Sequence, residues 1–181
     1  MDIVMYSLFI FIIICILIIC YITIFNKFQG YIIRVNEAEA NIDSVLRKRF
    51  DLLNKSIGII NGNIECDKEV LEIIVKLRSR KLTNFELDRL LYDAINEFHH
   101  YKAEYPTLCE CESFIKIGAS ISESESEIYA LRRYYNDVIT DYNKAVRTFP
   151  SNVVALTCHY QQKTYFDGKN MTDQVINDFK L

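Results

Sequence analysis

Three groups of residues in this chain have side chains with chemistry of their own. The first is a Cys/His set: Cys109-x-Cys111, with His99-His100 upstream and Cys158-His159 later. Thiolates and imidazoles are zinc ligands, and structural zinc sites set them in paired knuckles with gaps of about two to four residues. Here the cysteine gap is a single residue and no second knuckle follows. On a helix, His99 and His100 would point about 100° apart. The set reads as small or surface residues, and no metal ligand is assigned.

The second is Arg49, which falls on an otherwise apolar helical stripe. A buried guanidinium needs an acid partner, because breaking a buried pair costs about 3–5 kcal/mol. Asp51 is too near in sequence to share the same helical face, so Glu104, Glu112 and Glu127 are the expected partners. Otherwise Arg49 snorkels at the edge of the stripe, and an anionic-ligand site is the alternative. The third group is the pair Tyr135-Asn136 and Tyr142-Asn143, seven residues apart. A buried tyrosine hydroxyl wants a partner and asparagine offers both donor and acceptor. The expectation is a polar ladder between helices that fixes their register, with ligand binding as the alternative.

Beyond these, the chain has no phosphate-cradling G-x-x-x-x-G-K-[ST], no G-x-G-x-x-G, no H-E-x-x-H and no G-x-S-x-G. The paired acids lie on charged helix faces. Arg78-Ser79-Arg80-Lys81 is basic without interleaved aromatics and reads as a solvated helix end. With 21 basic against 24 acidic side chains, no nucleic-acid footprint is expected. Neither a catalytic residue nor a cofactor is assigned, and the expectation is a protein that is not an enzyme.

The elements that carry these residues follow from how the apolar side chains are distributed. Mean hydropathy is +0.04, but this average hides a sharp division. The first 25 residues hold one charge, Asp2, and the other 156 hold 21 bases and 23 acids. Ile3 to Phe25 carries no charge, and at about 1.5 Å per residue it is long enough to cross a hydrocarbon core of about 30 Å. No basic residue precedes it and no small-residue cleavage site follows it, so it reads as an uncleaved anchor in the lipid bilayer rather than a signal peptide. Lys27, Arg34, Arg47, Lys48 and Arg49 all lie after it, and the positive-inside bias places the C-terminal domain in the cytoplasm. Cys66, Cys109, Cys111 and Cys158 suit a reducing compartment as free thiols. The alternative is an exported domain stapled by disulfides.

The soluble part reads as all-α, an elongated antiparallel bundle of about four helices. Phe114, Ile117, Ile121, Ser124, Ile128, Leu131, Tyr135, Val138, Tyr142, Ala145 and Phe149 step by three and four, with Ser124 the polar member. That is one helix packed along a single stripe, ended by Pro150, with Pro106 at its first turn. Leu87, Leu91, Ala94, Phe98, Tyr101 and Tyr105 form a second stripe, and Thr83-x-x-Glu86 offers a capping box before it. A shorter helix is expected through Val70, Ile73 or Ile74, and Leu77. The first soluble helix is expected to start after Gly30, with its stripe at Val35, Ala38, Ile42, Val45, Arg49, Leu52, Ser56 and Ile59. Gly62 suits a left-handed cap at its end. Ser151-Asn152 would cap a short helix from Val153 to about Tyr160, and Asp167 to Asn170 would form a turn.

An anchor followed by a bundle, with Asn41-Ile42-Asp43, Leu46-Arg47-Lys48-Arg49-Phe50-Asp51-Leu52, Glu104-Tyr105-Pro106-x-Leu108, Leu131-Arg132-Arg133-x-Tyr135-Asn136, Tyr142-Asn143 and Phe149-Pro150 in that order, resembles the LemA family over about residues 31–166. Leu53-Asn54-Lys55-Ser56 stands where that family usually has an Ile-Pro-Asn-Leu type stretch. The resemblance implies a membrane-anchored helical bundle without an established enzymatic activity. The chain then divides into an anchor and flank (1–29), the bundle (30–166) and a flexible tail (167–181). The expected role is a non-catalytic scaffold that binds another protein at the membrane. A ligand or metal-responsive sensor and an exported envelope protein are the alternatives. The oligomeric state is not legible.

Overall fold

The computed structural model describes residues 2–63 and 82–166. The expected helix through Val70 and Leu77, the basic run at Arg78, Cys66, the turn at Asp167 and the tail all lie outside these residues. Within them are four α-helices, one 3-10 turn and no strand.

Helix α1 runs unbroken over Asp2–Asn63. The expected break after Gly30 does not occur, nor does the left-handed cap at Gly62, and no described glycine has a positive φ. A mid-helix glycine costs only about 0.5–1 kcal/mol relative to alanine, and the first proline is Pro106. Nothing before Asn63 is strong enough to stop the helix. Every large apolar side chain from Ile3 to Ile22 is exposed, from 41% at Ile13 and Tyr21 to 85% at Ile3. Among the described residues this is the one helix long and apolar enough to cross a membrane.

The later part of α1 is buried along Val35, Ala38, Ile42, Val45, Arg49, Leu53, Ser56 and Ile60. The stripe therefore departs from the expected one, with Leu53 and Ile60 in the places of Leu52 and Ile59. A straight helix has about 3.6 residues per turn and drifts about 20° per heptad from a strict seven-residue repeat, so the inward position moves on by one.

The described residues form two compact units: residues 2–37 with 136–165, and residues 38–63 and 82–135 with Phe166. In the second unit, α2 spans Asn84–Glu104 and starts with the expected capping box. Thr83 Oγ1 accepts from Glu86 N at 3.3 Å, and Thr83 N donates to Glu86 Oε2 at 2.9 Å. The Thr83 N–H and hydroxyl both donate to Glu86 Oε2 and hold that carboxyl below its ordinary range. Pro106 does not open the long helix. It starts a 3-10 turn, Pro106–Glu110, and α3 begins after it at Glu112 and ends at Arg147. Phe98 packs on Phe114 with ring centroids 4.8 Å apart, and Asp88 meets Arg132, so α2 and α3 run antiparallel. Arg49 meets Ser124 and Lys48 meets Glu127, so α1 and α3 are antiparallel as well. All of the expected α3 stripe is buried or half-buried except Phe149, which lies past the helix end and is 81% exposed.

In the first unit, α4 spans Ser151–Thr157 without a side-chain cap. The expected helix to Tyr160 is thus shorter, and the Ser151 hydroxyl donates back to Thr148 O instead of capping. Val154 and Ala155 pack on Phe28, Tyr142 and Ala145. Phe28 meets the Tyr142 ring edge-on at 6.1 Å.

Candidate functional site

The second unit gathers its chemistry on three helices. Arg49 of α1, Asp88 of α2 and Ser124 of α3 are all at most 3% exposed. Arg49 Nε donates to Ser124 Oγ at 3.1 Å, and Arg49 Nη1 lies 3.8 Å from Asp88 Oδ1. Arg132 of α3 donates from Nη2 to Asp88 Oδ2. The partner of Arg49 is therefore Asp88, and not Glu104, Glu112 or Glu127. Glu127 pairs with Lys48 at 3.3 Å on the surface, and Glu112 pairs with Lys116 within its own helix.

The missed acid had a signal. Asp88, Leu91, Ile95 and Phe98 also step by three and four, and all four are buried, while Leu87 is half-buried. Counting α2 from Leu87 put the acid one position off the stripe.

Two guanidinium groups meet one carboxylate, and Glu125 adds a further negative charge acting on Arg49. Among the described residues, Asp88 Oδ1 and Arg132 Nε are buried without a hydrogen-bond partner. Burial pushes Arg49 down from its ordinary value, Asp88 opposes that shift, and Arg132 adds to it. The guanidinium stays charged regardless, since arginine does not deprotonate in proteins. The groups of this network hold three helices in one register. An aromatic cover lies beside it: Phe166 stacks on Phe85 at 4.5 Å, Tyr135 meets Phe166 edge-on, and the Arg132 guanidinium sits 5.6 Å over the Phe166 ring. Burial, with Glu39 nearby, pushes the Tyr135 hydroxyl up to about 12.

In the second Tyr-Asn pair, Asn143 does not reach another helix. Asn143 instead clamps the segment after α4. Its Nδ2 donates to Lys163 O at 2.8 Å, and its Oδ1 accepts from Lys163 N at 2.9 Å. Asn136 contributes its backbone carbonyl to the Thr140 hydroxyl. The sulfur and imidazole groups stay apart: Cys109 and both His99 and His100 are exposed, and His100 pairs with Glu104 at 3.5 Å. No three described His, Cys, Asp or Glu groups converge as a metal site would need.

The first unit has an open cavity of about 360 Å³, lined by Lys27, Tyr31, Asp141, Lys144, Thr148 and Ser151 among others. Close by, Tyr21 Oη lies 3.2 Å from Thr157 Oγ1 and 3.6 Å from Cys158 Sγ, and Gln29 donates to Tyr160 Oη at 2.8 Å.

Helices alone, a buried ion network fixing their register and a single bare apolar helix define an all-α bundle protein with a candidate membrane span. The LemA family model matches residues 38–179, and the chain belongs to the LemA family. Protein LemA of Metamycoplasma hominis is 30% identical over 129 residues, which cover 67% of this chain and 58% of that protein. The chain therefore spans less than two thirds of that relative's length.

Proposed function

We propose that this chain is a single-pass membrane protein whose bundle stands on the cytoplasmic side and works as a non-catalytic scaffold for another protein. One observation carries the reading. The uncovered apolar run from Ile3 to Ile22 and the buried stripe from Val35 to Ile60 belong to one unbroken helix. Any bilayer that takes the first part therefore tethers the rest of the chain. In water, an apolar surface of this size has no favourable state, and a uniformly apolar helix belongs in a membrane or a core. The basic residues past the run support the cytoplasmic side.

The test uses the full chain in cells. Alkaline extraction should leave it in the membrane, and deletion of residues 2–20, which spares the packed Phe28, should release it. Cys109 is exposed, so a membrane-impermeant maleimide should label it only after the cells are opened. Labelling in intact cells would reverse the orientation and favour an envelope protein. Crosslinking in the native membrane should capture one recurrent protein partner, and capture of the chain alone would sink the scaffold role.

A further inference from the structure

The corner between α3 and α4 exposes an apolar face that the first unit's own packing does not use. Val154 and Ala155 face the unit's core. At about 100° per residue, Val153 and Leu156 lie on the opposite side of the same short helix. Val153 is 50% exposed and Leu156 79%, and Phe149 just before the helix is 81% exposed.

The position of this corner identifies what covers it. Tyr21 is hydrogen-bonded to Thr157 and reaches Cys158. Tyr21 is four residues before Phe25, the end of the apolar run, so it lies about 6 Å inside that end. Interfacial helices bury their apolar faces by about 5–10 Å at the boundary of headgroups and acyl chains, so the depths agree. The surroundings have the chemistry of that boundary. Tyr21 sits near the end of the apolar run, where aromatic rings favour the interface, Lys27 follows just past that end, and Lys144 and Arg147 stand in the last turn of α3, where they can meet lipid phosphates.

From these relations we infer that the α3–α4 corner is a second membrane contact: Phe149, Val153 and Leu156 enter the bilayer interface beside the span. The inference rests on the anchor reading above. It gives the first unit a seat on the lipid surface, and not only a tether.

The chain contains no tryptophan, so each tryptophan substitution introduces a single reporter. The full chain is reconstituted in vesicles of phosphatidylcholine and phosphatidylglycerol brominated near the headgroup end of one acyl chain. Ile22→Trp marks the shallow end of the span, Ile12→Trp its interior, and Ile33→Trp, beyond the span, the water side. The expected result is that Phe149→Trp and Leu156→Trp are quenched within about twofold of Ile22→Trp, as a shared interfacial depth requires, and several-fold more than Ile33→Trp. If Ile22→Trp is quenched while both corner reporters match Ile33→Trp, the seat is overturned and the anchor stands. If Ile12→Trp and Ile22→Trp are both unquenched, the anchor reading falls and takes the seat with it.

Discussion

Arg49 Nε and Ser124 Oγ are 3.1 Å apart, and both side chains are buried. They are polar members of two largely apolar stripes, one on α1 and one on α3, and they meet. The serine is fully used: it accepts from Arg49 and donates to Ile121 O at 2.6 Å. Removing it leaves a charged donor buried without an acceptor, which costs about 1–3 kcal/mol. Ser124→Ala should lower unfolding stability by that amount in a urea titration of the detergent-solubilised chain, read by helical circular dichroism. A change below about 0.5 kcal/mol, the usual surface value, would show that the bond contributes nothing.

Asp88 should be the most sensitive position of the network. It is the one carboxylate between two guanidinium groups, and Asp88→Ala leaves like charges facing each other in a buried site, at a cost of about 3–5 kcal/mol. Arg49→Leu should be milder, because Asp88 keeps Arg132. Arg49→Glu should be worse than Arg49→Leu, because it sets a second carboxylate against Asp88. Adding Arg49→Leu to Asp88→Ala should recover part of the loss, a coupling that a double-mutant cycle measures directly. Equal and negligible losses for Arg49→Leu and Arg49→Glu would remove Arg49 from the core.

How far the sequence could be read follows from which signals are periodic. The α3 stripe and the α2 capping box were legible because spacing and side-chain chemistry are local properties. The buried placement of Arg49 was legible for the same reason. Its partner was not, since pairing depends on how two helices are rotated against each other, and a one-residue frame error on α2 hid Asp88. The unbroken course of α1 was misread because Gly30 and Gly62 are weak punctuation inside a long helix. The Asn143 clamp could not be seen at all. It joins a helix to an irregular segment whose backbone position has no sequence signature.

The Tyr135 hydroxyl gives the fold an alkaline limit. Its value rises from 10.0 to about 12 in the folded chain, chiefly through burial and secondarily through Glu39. A raised value means the folded state prefers the neutral phenol. This contribution is complete below the unfolded value of 10.0 and is lost as pH climbs to about 12. Tyr135→Phe removes the titrating group while keeping the ring against Phe166. The loss of urea stability between those two pH values should therefore be smaller in Tyr135→Phe. Parallel pH curves for the two chains would refute the assignment.

Asn143 should act as the clasp of the segment that follows α4. Both polar ends of its amide are used on one residue, Lys163, at 2.8 and 2.9 Å. Asn143→Ala deletes both bonds, and each is worth about 0.5–1.5 kcal/mol net. Asn143→Asp keeps the acceptor for Lys163 N but turns a carboxylate oxygen toward the Lys163 carbonyl, so it should release the segment as well. Trypsin reports the effect, because opening exposes the bond after Lys163 to cleavage. Both variants should be cut there several-fold faster than the parent, while cleavage after Arg47 on α1 should keep its rate. An unchanged cleavage rate after Lys163 in Asn143→Ala would mean that the aromatic contacts around Tyr160 hold the segment without the amide.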